Sequence, residues 1–280
     1  MDYPFIVSAM TYTYARYPLE HTLTAIARQG LTHVEIWGGH PHAAVELLDS
    51  RYLVRINGLL NANGLSVTMF TPEQISAPVA VGSPDPLIRE YSVRYFCRAA
   101  EAAAAMGTSR MLMTAGTVLT GQNVQQAWDL SMDSLLKIGR HAQELGVRLV
   151  LEPLDREESP LMNSLASLSE AYRRLTEIKP EVMVDLVPMF RNGEDLSDYF
   201  SHFGPDLSVI HFIDCDGRTF KHLVPGDGVM NFAPVMQAIK SHGFTGILSL
   251  ELGDTYHGDP DCALARALIA IDELAENAGY

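Results

Sequence analysis

The amino-acid sequence predicts an α/β fold, a single (β/α)₈ TIM barrel that forms one domain over residues 1–280. The length suits one such barrel, and no linker or break in composition divides the chain. Short apolar runs alternate eight times with longer amphipathic stretches, which is typical of a parallel sheet wrapped in helices. A doubly wound sheet usually has a glycine-rich turn after its first strand, but here that turn reads TYTYARYP. The barrel is therefore the favoured architecture.

Each of the eight units is predicted from one apolar run and the amphipathic segment that follows it. The predicted strands lie at residues 5–9, 33–37, 65–70, 110–115, 147–152, 181–186, 207–214 and 246–252. The predicted helices lie at residues 18–29, 46–63, 87–106, 124–145, 166–178, 195–203, 231–242 and 260–277. Several of these helices stop at a glycine, as helix termini commonly do: Gly30, Gly64, Gly107, Gly146 and Gly243.

The net charge and the cysteine content indicate which binding partners and which cellular compartment suit the protein. A formal net charge of −14 disfavours nucleic acid as a partner, because nucleic-acid binding needs a basic surface. Cys97, Cys215 and Cys262 are too few and too far apart for a disulfide framework or a zinc-finger pattern, which favours a reducing compartment. The first residues do not resemble a signal peptide, and no apolar run is long enough to span a membrane. We expect a soluble, cytoplasmic enzyme that acts on a small molecule.

Four polar side chains lie at or near the carboxyl ends of the predicted strands five to eight. They are Glu152, Asp185, His211 and Glu251. The carboxyl ends of barrel strands converge on one rim, where the active sites of such barrels lie. Any one of the four alone could be an ion-pair partner, a helix cap or a satisfied core residue. Together they predict a shared metal ion, because the strands supply almost no cations that could pair with three buried carboxylates.

The ligand types predict the metal and its chemistry. Three oxygen ligands and one nitrogen favour a hard divalent ion, Mn²⁺ first, with Mg²⁺ or Co²⁺ as alternatives. Such an ion polarises a substrate carbonyl and makes the hydrogen on the neighbouring carbon acidic. One carboxylate can then remove that proton, and a second on the opposite face can return it with inversion. We predict that Glu152 and Glu251 are this catalytic pair and also bind the metal.

The segments around these residues resemble the xylose-isomerase-like superfamily of sugar isomerases and epimerases. The similarity runs over essentially the whole chain and is carried, in order, by EIWGGHPHA (35–43), FTPE (70–73), LEPLDREES (151–159), MVDL (183–186), HFIDCDG (211–217), VPGDG (224–228) and LSLEL (248–252). It is closest to the branch of fructoselysine and other ketose 3-epimerases. The resemblance implies the same four metal ligands, proton transfer by the two glutamates, and a ketose or ketosyl conjugate as the substrate.

Further residues are candidates for substrate binding. The resemblance implies that Glu158 contacts sugar hydroxyls, because family members have a glutamate six residues after the first ligand. An arginine follows the histidine ligand a few residues on in some relatives; Arg218 is the nearest candidate for this position, and His222 is a rival. Trp37, after strand two, could form a substrate wall or simply pack. Glu73, after strand three, could face the pocket or cap the next helix.

One departure from the family bears on the substrate. Pro188 stands where many ketose 3-epimerases have a substrate-binding histidine, which argues against free tagatose, fructose or psicose. The alternative function is a lyase that uses the same enolisation. It could be the catalytic subunit of a C-glycoside deglycosidase that cleaves 3-keto C-glycosides, or an inosose-type dehydratase. By analogy with relatives we expect a homo-oligomer, a dimer or tetramer, whereas a deglycosidase would pair with a small β-rich subunit.

Two other functions are less well supported by the residues. An apurinic-site endonuclease shares the barrel, but its three-zinc cluster needs more histidine ligands and its substrate needs a basic groove. A sugar-binding barrel without catalysis is the alternative outside enzymes. Loss of activity in a Glu152→Gln variant that still binds metal would argue against it.

Overall fold

The computed structural model describes residues 3–280, which form a closed barrel of eight parallel strands. The strands are β1 (Ile6–Met10), β2 (His33–Gly38), β3 (Ser66–Pro72), β4 (Arg110–Met113), β5 (Arg148–Leu151), β6 (Glu181–Asp185), β7 (Leu207–His211) and β8 (Ile247–Leu250). Each strand pairs with its sequence neighbours, and β8 pairs with β1 to close the sheet. The predicted (β/α)₈ fold is thereby confirmed.

Helices connect successive strands around the outside of the barrel. They are α1 (Leu19–Arg28), α2 (Ser50–Asn63), α3 (Pro86–Ala105), α4 (Val124–Glu144), α5 (Leu165–Arg174), α6 (Leu186–Arg191), α7 (Leu196–Phe203), α8 (Phe232–Ser241) and α9 (Pro260–Asn277). Their apolar faces and the outward side chains of the strands form the main core. Within residues 3–280, no helix combines the length and the apolar character that crossing a membrane requires.

The short helix α6 was not predicted from the sequence. It begins directly after Asp185, whose Oδ1 accepts a hydrogen bond from the Val187 amide at 2.7 Å and so caps the helix. Pro188 lies in the first turn, where a missing N–H leaves no helical hydrogen bond unmade. The cap also fixes the orientation of the Asp185 carboxylate at the end of β6.

The barrel interior is divided into layers by the alternation of side chains along the strands. An apolar layer takes one residue from each of β3 to β8: Met69, Leu112, Val150, Met183, Val209 and Ile247. Two positions further along the same strands or directly past their ends lie buried polar residues: Thr71, Thr114, Glu152, Asp185, His211 and Ser249. Because side chains two apart share a face, both sets point into the barrel. A polar layer therefore covers the apolar layer on the side of the strand carboxyl ends.

A buried carboxylate lies at the opposite rim, where the strands begin. Glu181, 2% exposed, accepts a hydrogen bond from Arg110 Nε at 2.6 Å and also pairs with Arg148. The two arginines are the first residues of β4 and β5. They therefore stabilise the amino-terminal rim and lie away from the polar layer.

Candidate metal centre and active site

The four predicted metal ligands come together at the carboxyl end of the barrel. Glu152, Asp185, His211 and Glu251 each place one ligand atom within 4.8 Å of the others. Asp185 and His211 end β6 and β7, whereas Glu152 and Glu251 directly follow β5 and β8. The first three are buried and Glu251 is partly buried. The convergence expected from the sequence is therefore present in the fold.

The chemistry of this cluster fits a divalent cation. His211 Nδ1 is buried and has no hydrogen-bond partner of good geometry among residues 3–280. It faces Glu251 Oε2 at 2.9 Å and Glu152 Oε1 at 3.5 Å. Three carboxylates so close together repel one another when ionised, and their burial adds a desolvation cost. A divalent ion would relieve both effects, and a donor set of oxygens with one imidazole suits Mn²⁺, Mg²⁺ or Co²⁺.

The carboxyl groups of the cluster differ in their electrostatics. Burial raises the pKa of Glu152 to about 7 and also raises the pKa of Asp185. Burial acts in the same direction on Glu251, but the neighbouring His211 and His222 outweigh it and hold its pKa below the ordinary value. In the metal-free protein the pKa values of the two glutamates are therefore shifted in opposite directions.

His222 reaches the cluster from the loop between β7 and α8. Its Nε2 lies 3.3 Å from Asp185 Oδ2 and its Nδ1 lies 3.2 Å from Glu251 Oε2. Burial lowers the pKa of His222, but the charges of these two carboxylates outweigh burial and raise it to about 10. Arg218, the rival candidate, is exposed, and its amide donates to Asp216 Oδ1 at 2.8 Å. Of the two basic residues, His222 is the one in contact with the cluster.

The loop that carries His222 is held by a buried aspartate. The backbones of Asp214 and Leu223 exchange two hydrogen bonds, of 2.8 and 2.7 Å, directly beside His222. The Asp214 carboxylate accepts hydrogen bonds from the amides of Gly226, Gly228 and Met230. A side chain at Gly228 has no room, since a Cβ there would lie 2.1 Å from the Cys215 carbonyl oxygen. The VPGDG segment is therefore a tightly folded support for His222.

Glu158 lies in the loop after β5, close to the metal ligands. Burial and then the charge of Asp185 raise the pKa of Glu158 to about 7, and the Asp155 amide donates to its Oε2 at 3.3 Å. Arg191, at the end of α6, holds this loop through Asp155 Oδ2 and Glu157 Oε1, each at 2.6 Å. The predicted substrate ligand is thus brought to the edge of the cluster.

Trp37 and Glu73 form one unit on the same rim. Trp37 Nε1 donates to Glu73 Oε2 at 3.1 Å, while Glu73 Oε1 accepts from the Ile75 and Ser76 amides at 2.7 and 2.8 Å. Both side chains are partly buried. Glu73 therefore orients the indole of Trp37 and shapes the following loop.

Two residues at the site were not predicted from the sequence. Tyr12, in the turn after β1, packs edge-on against Trp37 and His257, with ring centroids 5.1 Å apart in each case. Burial raises the pKa of Tyr12, and the charge of Glu251 adds to this effect. The second is Glu35, a buried glutamate on β2 that contacts His211. The position of Tyr12 in a turn on the catalytic rim was the signal available for it.

Comparison with known protein families assigns the chain to a family of (β/α)₈ barrels. A sequence profile matches residues 23–274, and the chain is a member of the xylose isomerase-like TIM barrel family. Fructoselysine 3-epimerase from Escherichia coli O157:H7 is 28% identical over 255 residues, which cover 90% of this chain and 92% of that protein. The resemblance noted in the motifs is thereby confirmed.

Solved structures of similar proteins share the fold. The IOLI protein with a bound zinc atom superposes with a TM-score of 0.82 at 16% identity, covering 98% of this chain and 99% of that one. The apo form of 3-keto-D-glucoside 4-epimerase from E. coli superposes with a TM-score of 0.79 at 17% identity, covering 96% and 99%. At this level of identity the likeness concerns the architecture.

Proposed function

We propose that the protein is a divalent-metal-dependent epimerase or isomerase of a ketose or ketosyl conjugate, of the 3-epimerase type. The observation that carries this proposal is the buried cluster of Glu152, Asp185, His211 and Glu251, with ligand atoms within 4.8 Å of one another. The nearly full-length similarity to fructoselysine 3-epimerase supports an enzyme of the sugar epimerase and isomerase type.

The proposed reaction moves one proton at the carbon beside the substrate carbonyl. A bound divalent ion would supply Lewis-acid polarisation of that carbonyl. Glu152 and Glu251 follow strands three positions apart in the barrel, so they approach a bound sugar from two sides. One carboxylate takes the proton and the C–H electrons form an ene-diolate; a proton then returns to the opposite face, with no net oxidation or reduction.

The surrounding side chains account for substrate binding in this proposal. Glu158 and His222 lie beside the cluster and offer polar groups to sugar hydroxyls. Trp37 and Tyr12 offer adjacent aromatic rings, on which the apolar face of a sugar can stack. Residue 188, just past the end of β6, is a proline and not the substrate-binding histidine of many ketose 3-epimerases. This difference favours a ketosyl conjugate such as fructoselysine over a free ketose.

Deuterium exchange tests the proposal directly. We would incubate the Mn²⁺-loaded protein in D₂O with fructose, psicose, fructoselysine and a 3-keto C-glycoside, and follow the spectra by NMR. We expect metal-dependent deuterium entry at the carbon beside the carbonyl, together with an epimeric product. The Glu152→Gln and Glu251→Gln variants should lose turnover by a factor of about 10²–10⁴, the usual contribution of general acid–base catalysis.

A matched control separates catalysis from loop damage. Glu157→Gln removes a carboxylate of the same loop whose side chain is 57% exposed, and it should retain exchange. Release of an aglycone or loss of water would instead establish the lyase. Turnover without any exchange would contradict the two-glutamate mechanism, and inertness towards all four compounds would contradict the proposed substrate class.

A further inference from the structure

Glu35 is a completely buried carboxylate in the middle of the barrel. It lies on β2 and its exposed fraction is 0%. Its Oε2 and Oε1 lie 3.2 and 3.4 Å from Nε2 of His211, on the far side of the imidazole from the other metal ligands. A buried charge at this position requires specific partners, since an unpartnered one would cost several kcal/mol. The barrel supplies them in the polar layer.

Two hydroxyl groups hold the Glu35 carboxylate in place. Ser249 Oγ donates to Oε2 at 2.6 Å, and Thr71 Oγ1 donates to Oε1 at 2.5 Å. Ser249 is the β8 residue paired with His211 of β7, and Thr71 belongs to the same inward face of β3 as the apolar layer below. Each carboxylate oxygen therefore has its own hydroxyl donor, and the group cannot rotate without breaking a buried hydrogen bond.

The two ring nitrogens of His211 have different surroundings. Nε2 lies against Glu35, and Nδ1 faces Glu152 and Glu251 and lacks a hydrogen-bond partner of good geometry among the described residues. With Nε2–H donated to the carboxylate, Nδ1 presents its lone pair to the cluster. Carboxylates that bind the second nitrogen of a histidine ligand fix the ring and its tautomer in this way.

We infer that Glu35, clamped by Ser249 and Thr71, is a positioning residue that aims Nδ1 of His211 at the metal. The inference rests on the metal centre of the proposed function. Glu35 itself lies behind the imidazole and acts only through it. Its removal should therefore change metal affinity and the ligand field of the metal, rather than substrate recognition.

The test compares Glu35→Gln with a second buried strand glutamate. Glu181→Gln removes a carboxylate that is 2% exposed and lies on strand β6, but this carboxylate is at the opposite rim and is paired with arginines. We would titrate each metal-free variant with Mn²⁺, following free Mn²⁺ by electron paramagnetic resonance, and record the visible spectrum of each Co²⁺-loaded form. No sugar is needed. For Glu35→Gln we expect Mn²⁺ binding to weaken by about 10- to 100-fold and the Co²⁺ bands to shift.

Glu181→Gln should lose thermal stability yet keep the affinity and the Co²⁺ spectrum of the unmodified protein. Equal Mn²⁺ affinity of Glu35→Gln and the unmodified protein overturns the positioning role, as does an equal loss in both variants. If the unmodified protein binds no Mn²⁺, the metal centre fails and the inference fails with it.

Two milder variants serve if Glu35→Gln does not fold. Thr71→Val and Ser249→Ala each remove one hydroxyl from the clamp and leave the Glu35 charge in place. Both should weaken Mn²⁺ binding, by less than the loss of the carboxylate. Unchanged Mn²⁺ affinity in both would overturn the clamp and the positioning role.

Discussion

Replacing Glu158 by glutamine should stabilise the metal-free protein, and the gain should grow as the pH rises. The carboxyl group is largely shielded from solvent beside Asp185, and burial is the main cause of its raised pKa. Glutamine has the same shape and can still accept the hydrogen bond from the Asp155 amide. The substitution therefore removes the charge with little change in packing.

The magnitude follows from the pKa of Glu158, which is raised from 4.5 to about 7. The folded state binds the proton of the Glu158 carboxyl group more tightly than the unfolded state does. At a pH where the carboxyl is protonated in both states, there is no charge to bury and the protein loses no stability. The cost develops as the pH rises from the ordinary pKa and is complete above the folded-state pKa of about 7. This difference between the ordinary and the folded-state pKa corresponds to at most about 3.5 kcal/mol. Partial exposure screens the charge, and we expect about 1–2 kcal/mol between pH 5 and pH 8.

Thermal unfolding in the presence of a chelator measures this difference. At about 2–4 °C per kcal/mol, the melting temperature of Glu158→Gln should exceed that of the unmodified protein by several degrees more at pH 8 than at pH 5. Glu144→Gln removes an exposed carboxylate at the end of α4 and should show no such trend. A gap that stays constant with pH would show that the Glu158 carboxyl is not desolvated, and would refute the reasoning.

Two further predictions concern the metal and the loop that carries His222. Chelation should lower the melting temperature, and Mn²⁺ at about 100 times its dissociation constant should restore ~2.7 kcal/mol of stability; a melting temperature insensitive to Mn²⁺ would contradict the metal centre. Gly228→Ala should cost about 1–3 kcal/mol, because its Cβ would meet the Cys215 carbonyl oxygen at 2.1 Å. Gly258→Ala, where a Cβ meets nothing within 4 Å, is the matched control, and equal melting temperatures of the two variants would contradict the close packing of the VPGDG loop.

The strands and the cluster of candidate metal ligands could be predicted because their signals are local. An apolar run marks each strand, and a polar residue at its carboxyl end marks the rim that all strands share. For example, Asp185 ends VMVD and His211 ends LSVIH, so each ligand is visible within its own strand. The helix boundaries were similarly local, and α9 begins and ends at the predicted residues.

The residues that were missed depend on contacts between distant parts of the chain. Glu35 is one acidic residue in the strand HVEIWG, and its partners Thr71, His211 and Ser249 lie 36, 176 and 214 positions away. Only the register of the closed barrel brings the four together. Helix α6 was missed for another reason, since six residues with a proline in the first turn show no helical periodicity. Its start depends on the carboxylate of Asp185.

The residues proposed to bind the metal and the residues proposed to bind the substrate are held in place by different contacts. Three candidate metal ligands, Glu152, Asp185 and His211, belong to the polar layer that rests on the apolar one, and Glu35 is hydrogen-bonded to two hydroxyls of that layer. Glu158 lies in the loop after β5, which Arg191 holds through Asp155, and Trp37 lies near the end of β2, where Glu73 accepts its indole hydrogen bond. Changes in these partners should therefore alter the choice of sugar while the barrel retains its metal. In the proposed mechanism, the side chains that would select the substrate therefore have local partners of their own, separate from the hydrogen bonds that hold Glu35 and His211.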